Sequence, residues 1–222
     1  MSQQFAPVGA DATQTFALNN EANEAVAIQI FVVKREVAPD GTETLTPADA
    51  DFLVFPPQVA IPAGKSQLIQ VRWLGTRTPA TELTYRVIAE QLPVALVDRG
   101  QTGGRLEILM RYEGAIYITP PNAAPNVAVA SAARVDTPDG PRMAVSLRNS
   151  GTAHGLLDQA VLTVAGTGAD GRPVTKELRG EDLGPMASPN ILAGNKRDFL
   201  LAWPEGLNPQ GVTATLRTSY VR

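Results

Sequence analysis

The chain reads as all-β, arranged as two sandwich domains, and three observations carry that expectation. Apolar and polar residues alternate with period two along most of its length, while helical period is scarce. Nineteen Gly and eighteen Pro make up 37 of the 222 residues, about 17% against roughly 12% in an average protein, which suits many short strands joined by turns. A stiff stretch, Pro120-Pro121-Asn122-Ala123-Ala124-Pro125, interrupts the strand pattern near the middle.

The elements follow in order. Thr13 to Leu18 alternates as a strand, with polar Asn19 to Glu24 as its turn. Val26 to Lys34 is β-branched and apolar, and Asp40-Gly41 marks a tight turn. Phe52-Leu53-Val54-Phe55 precedes the breaker pair Pro56-Pro57; then come Val59 to Ile61 and a Pro62-Ala63-Gly64 turn. Ser66 to Leu74 sets Leu68, Gln70 and Arg72 opposite Gln67, Ile69, Val71 and Trp73. Leu83 to Leu92 ends at Pro93, and 94–104 is a glycine-rich loop.

Arg105 to Ile118 is the longest strand candidate, spanning roughly 46 Å at about 3.3 Å per residue. Past the proline stretch, strands are expected at Val127–Val135, Arg142–Asn149, Leu156–Ala165, Pro173–Arg179, Ile191–Trp203 and Val212–Tyr220. About seven strands before the stretch and six after it point to two sandwiches of the immunoglobulin type, over 1–120 and 121–222.

Composition narrows the function. Nineteen basic against 22 acidic residues give a net charge of −3. They divide as 9 against 13 through Pro120 and 10 against 9 after it, so neither half carries a basic footprint for nucleic acid. Cysteine is absent and His154 is the single histidine, which removes thiolate chemistry and zinc ribbons and leaves little for metal or triad chemistry. The longest apolar stretch, around Ala25 to Val33, falls well short of the roughly 20 residues of a spanning helix, so no transmembrane segment is expected. Met1-Ser2-Gln3-Gln4 has no signal-peptide character, which fits either a cytosolic chain or one whose leader has been removed.

Three local patterns invite chemistry and each has a plainer reading. Gly166-Thr167-Gly168-Ala169-Asp170-Gly171 matches G-x-G-x-x-G, but Arg172-Pro173-Val174-Thr175 follows it where a dinucleotide site needs a helix, so it reads as a hairpin turn. His154, in the polar turn from Asn149, reads as a solvated loop histidine. Asp49 and Asp51 resemble an acid–base pair, yet beside Thr46 and Pro47 they read as a solvated polar loop. The expectation is a protein that is not an enzyme and needs no cofactor and no metal.

Spaced motifs give the chain a resemblance. Phe55-Pro56-Pro57, then Ile61-Pro62-Ala63-Gly64-Lys65-Ser66-Gln67, then Gln70-Val71-Arg72 form one run. Glu82-Leu83-Thr84-Tyr85-Arg86-Val87 leads to Glu90-Gln91-Leu92-Pro93. Leu147-Arg148-Asn149-Ser150-Gly151-Thr152 and Ile191-Leu192-Ala193-Gly194 mark two later turns. Together these resemble the periplasmic pilus chaperones of the chaperone–usher pathway, most strongly from Phe52 to Tyr117.

The resemblance implies a periplasmic chaperone that binds strand-deficient pilus subunits by donor-strand complementation and delivers them to an outer-membrane usher. It implies that the long strand lends an apolar face to the subunit, and by period two that face is Leu106, Ile108 and Met110. The family's basic pair, which holds the subunit's terminal carboxylate, has no direct match. Its first member falls near Gln3 and its second at Ala115, leaving Arg111 as the nearby substitute. Of the family's ion-pair network between domains, Glu82 matches the first acid, while Thr119 stands in the place of its Arg.

Two rival readings come from other classes. One is a tandem immunoglobulin-like adhesive or structural module without strand donation. The other is a carbohydrate-binding or hydrolytic sandwich using the Asp49/Asp51 loop.

Overall fold

A computed structural model describes residues 2–93, 109–208 and 210–221. Two units divide the chain. The first comprises Met1–Glu36, Leu45–Pro79 and Leu83–Pro121; the second comprises Val37–Thr44, Ala80–Glu82 and Asn122–Arg222.

The first unit is built on β1 (Ser2–Phe5), β2 (Thr13–Asn19), β3 (Val26–Val37), β4 (Glu43–Pro47), β5 (Phe52–Phe55), β6 (Gln58–Ile61), β7 (Ser66–Trp73), β8 (Leu83–Gln91) and β9 (Arg111–Ile118). One sheet runs β1-β9-β8-β3-β4, with β6 also paired to β3; the other runs β2-β7-β5. β1 lies parallel to β9, whereas β8 is antiparallel to both β9 and β3.

Alternation decides which side chains fill the space between the sheets. On β7, Ile69, Val71 and Trp73 are buried while Leu68, Gln70 and Arg72 are exposed, as the period-two pattern requires. They meet Ile30 and Val32 from β3, Tyr85 from β8 and Ile116 and Ile118 from β9. Phe52, Trp73 and Tyr85 form an aromatic cluster, Phe52 lying 5.1 Å from Trp73 and 4.9 Å from Tyr85 in edge-on geometry.

The second unit contains β10 (Val127–Thr137), β11 (Gly140–Asn149), β12 (Gly155–Thr167), β13 (Pro173–Arg179), β14 (Asn190–Ile191), β15 (Lys196–Ala202) and β16 (Thr213–Val221). One sheet runs β10-β11-β15; in the other, β12 pairs with β13, β14 and β16. Met143, Val145 and Leu147 from β11 face Leu157, Leu162 and Val164 from β12 across a continuous core. A 3-10 segment, Gly180–Met186, adds the buried Leu183 and Met186. The all-β expectation of two immunoglobulin-like sandwiches therefore holds.

Three element readings change. The single strand expected at Ile191–Trp203 is two strands, because Gly194 takes φ +73 and the chain turns there before β15. Thr46 and Pro47 belong to the edge strand β4, in which Leu45 alone is partly buried, so the sequence offers a single apolar position rather than a repeated alternation. The long strand is described from Arg111 only. Leu109 and Met110 lie outside it, and Arg105 to Ile108 fall outside the described residues.

Candidate functional site

The site is the start of β9. Its register against β8 is uninterrupted, from Leu83 opposite Ile118 to Glu90 opposite Arg111. Gln91 N–H then donates to Met110 O at 2.9 Å, extending the ladder by one residue pair. On the other edge β1 pairs only with Ala115 to Ile118. Among the described residues no strand pairs with that edge of Arg111–Gly114.

The two faces of this stretch differ in character. Even-numbered residues share a face: Ile116 and Ile118 are fully buried in the unit's own core, Gly114 has no side chain, and Tyr112 and Met110 are 62% and 46% exposed. The same apolar face thus runs out beyond the end of the core. The odd-numbered face carries charge. Arg111 Nη1 lies 2.6 Å from Glu90 Oε2 and its Nε 3.0 Å from Glu113 Oε1, while Arg86 Nε is 3.6 Å from Glu113 Oε2. The bond to Glu113, and after it the bond to Glu90, raise the affinity of Arg111 for its proton. Its guanidinium is engaged within the chain.

Of the lending face expected from the sequence, Leu106 and Ile108 lie outside the described residues, and Met110 is exposed. Tyr112 joins that exposed face, and the signal that finds it in the sequence is its place two residues after Met110 on the same parity.

The other candidates resolve differently. His154 is not a solvated loop histidine: its side chain is 12% exposed and faces the fully buried carboxylate of Glu82, both in the second unit. Glu82 Oε1 accepts from His154 backbone N–H at 2.9 Å and from His154 Nδ1 at 2.6 Å, while Glu82 N–H donates to Thr152 O at 2.8 Å. No sequence pattern places residues 72 positions apart in contact. Asp51 is half-buried rather than solvated, and accepts the Tyr85 hydroxyl at 3.1 Å. Burial first, and the Asp51 charge second, push the Tyr85 hydroxyl well above the usual tyrosine range.

The glycine pattern is a turn. Gly168 N–H donates to Arg172 O at 2.8 Å and Gly171 N–H to Gly168 O at 3.0 Å, joining β12 to β13 with no helix. Among the described residues no group of three or more acidic or histidine side chains is placed to hold a metal ion. No helix among them is long and apolar enough to cross a membrane.

No curated protein matches the chain. Solved structures do, at low identity. A chain of the CsuC–CsuE chaperone–tip adhesion subunit pre-assembly complex, from archaic chaperone–usher Csu pili of Acinetobacter baumannii, is similar at 15% identity and TM-score 0.59, covering 96% of this chain and 93% of that one. A chain of the chaperone–tip adhesin complex of CFA/I fimbriae biogenesis is similar at 16% identity and TM-score 0.57, covering 97% and 95%. A chain of the Salmonella enterica SafA pilin–SafB chaperone complex is similar at 15% identity and TM-score 0.52, covering 99% and 88%. These likenesses show the fold. The family described as pili and flagellar-assembly chaperone, PapD N-terminal domain, matches residues 8–124, more than half of the sequence, and this chain belongs to that family.

Proposed function

We propose that this chain is a periplasmic chaperone that holds strand-deficient pilus subunits by donor-strand complementation and passes them to an outer-membrane usher. The observation that carries the reading is the apolar parity of Ile116 and Ile118 continuing past the core into exposed Tyr112 and Met110, on an edge with which no described strand pairs before Ala115. An immunoglobulin-like subunit lacking its last strand exposes two unpaired edges and a groove of core side chains. A lent strand satisfies both needs at once, its backbone pairing the edges and its alternate apolar side chains filling the groove.

Leu106, Ile108 and Met110 are the side chains assigned to that groove. Arg111 is the nearest base for a subunit's terminal carboxylate. Because Glu90 and Glu113 already hold it, capture would exchange one carboxylate for another and add little net attraction. Backbone pairing and apolar burial therefore carry the affinity in this reading. The pilin and tip-subunit complexes of the similar structures support the choice of partner.

The test is co-expression in the periplasm with a strand-deficient pilus subunit. Ile108→Asp is expected to abolish recovery of a one-to-one complex while leaving the melting temperature of the free chain near wild type. Glu107→Ala is the matched control on the alternate face. Collapse of the free chain on Ile108→Asp would make that residue ordinary core and overturn the reading.

A further inference from the structure

Gly114 divides the apolar face of β9 into a part the chain uses and a part it leaves open. After it, Ile116 and Ile118 are completely buried. Before it, Tyr112 sits opposite Ala89 on the same side of the sheet, yet is 62% exposed. A tyrosine is among the largest apolar surfaces a strand can present, and leaving one exposed gains nothing for the free chain.

The edge with which no described strand pairs spans these same residues. A strand pairing there would bring a side chain within about 4.5–5.5 Å of Tyr112 across the ladder, close enough to rest on its ring. The alternate face offers no comparable handle, since Arg111 and Glu113 are engaged with Glu90 and with each other.

We propose that Tyr112 is a further subunit-contacting and specificity-determining residue, next in register after Met110, and that it takes an apolar or aromatic side chain from the pilus-subunit strand that pairs with Arg111–Gly114. The inference rests on the reading of this chain as a pilus-subunit chaperone. Its ring supplies the contact, so phenylalanine retains it and alanine does not.

The probe is a strand-deficient pilus subunit that forms a complex with the wild-type chain, co-expressed with wild type, Tyr112→Ala, Tyr112→Phe and Met110→Asp. Tyr112→Ala is expected to lower complex recovery about tenfold, equivalent to about 1.4 kcal/mol, with Tyr112→Phe near wild type and every free chain melting normally. A photo-crosslinking phenylalanine at position 112 should form an adduct with the subunit, and one at position 113 should not. Wild-type recovery with Tyr112→Ala, alongside loss with Met110→Asp, overturns this inference and leaves the chaperone reading standing. Wild-type recovery with both variants overturns the two together. A drop in the free chain's melting temperature on Tyr112→Ala would make the ring a core element and overturn the inference on its own.

Discussion

Asn149 Nδ2 donates to Ile191 O at 2.9 Å, joining two turns that lie 42 residues apart. The same amide group donates to Ala153 O at 2.8 Å, while Oδ1 accepts from Asn126 N–H and Gly151 N–H at 3.0 and 2.9 Å. The first unit repeats the device: Asn20 Nδ2 donates to Ile61 O at 2.9 Å and Glu24 O at 2.7 Å, and Oδ1 accepts from Ala22 N–H at 3.0 Å. Asn20 N–H bonds to Lys65 O just as Asn149 N–H bonds to Asn195 O, both at 2.9 Å. Ile61-Pro62-Ala63-Gly64 and Ile191-Leu192-Ala193-Gly194 are thus equivalent corners of two sandwiches.

Asn149 is completely buried with its amide fully used. Asn149→Ala should leave several buried backbone groups unpaired and destabilise the second unit by on the order of 3 kcal/mol. Urea unfolding followed through Trp203 fluorescence measures it, and Asn149→Asp should be worse, since a carboxylate would face two carbonyl oxygens.

Glu82 and His154 form a second buried tie. A carboxylate only accepts, so Nδ1 carries the bonding proton. Glu82→Ala should cost about 1–3 kcal/mol by stranding the two His154 donors, and Glu82→Gln less, because an amide oxygen still accepts. A double-mutant cycle with His154→Ala should return a coupling energy; strict additivity would mean that the contact contributes nothing.

Tyr85 sets an alkaline limit. Its hydroxyl ionises at higher pH in the folded chain than in the unfolded one. That contribution to stability is complete below the unfolded tyrosine pKa of about 10 and is lost as pH rises from there through the folded value. Melting temperatures from pH 8 to 11.5 should fall less steeply for Tyr85→Phe than for wild type. An identical slope would refute the assignment.

Ile116 of β9 and Met110, the residue just before that strand, have the same parity but not the same role. Ile116→Ala should destabilise the free chain by about 2–5 kcal/mol, as for other core truncations. Met110→Asp, on an exposed side chain, should change stability by no more than about 0.5 kcal/mol. Thermal melts of the two purified variants provide the comparison.

Much of this was legible in the sequence, because strand alternation and turn chemistry are local. The faces of β7, the Phe52–Phe55 strand, the hairpin at Gly168–Gly171 and the turns at Gly64 and Asn149 follow from residue order and backbone sterics alone. The parity that puts Met110 on the apolar side of β9 is local too. What only the tertiary structure decided are the meetings of distant residues. Asp51 finding Tyr85, Glu82 finding His154 and Asn149 finding Ile191 each join segments separated by 34 to 72 positions. The point where β9 stops serving its own core is of the same kind. Ile116 and Tyr112 have the same parity and both offer apolar surface, but Ile116 packs into the core with Phe52, Ile69 and Trp73 of the facing sheet, and Tyr112 lies outside that cluster. Period two assigns a side chain to a face, but whether that face is filled depends on which strands reach it.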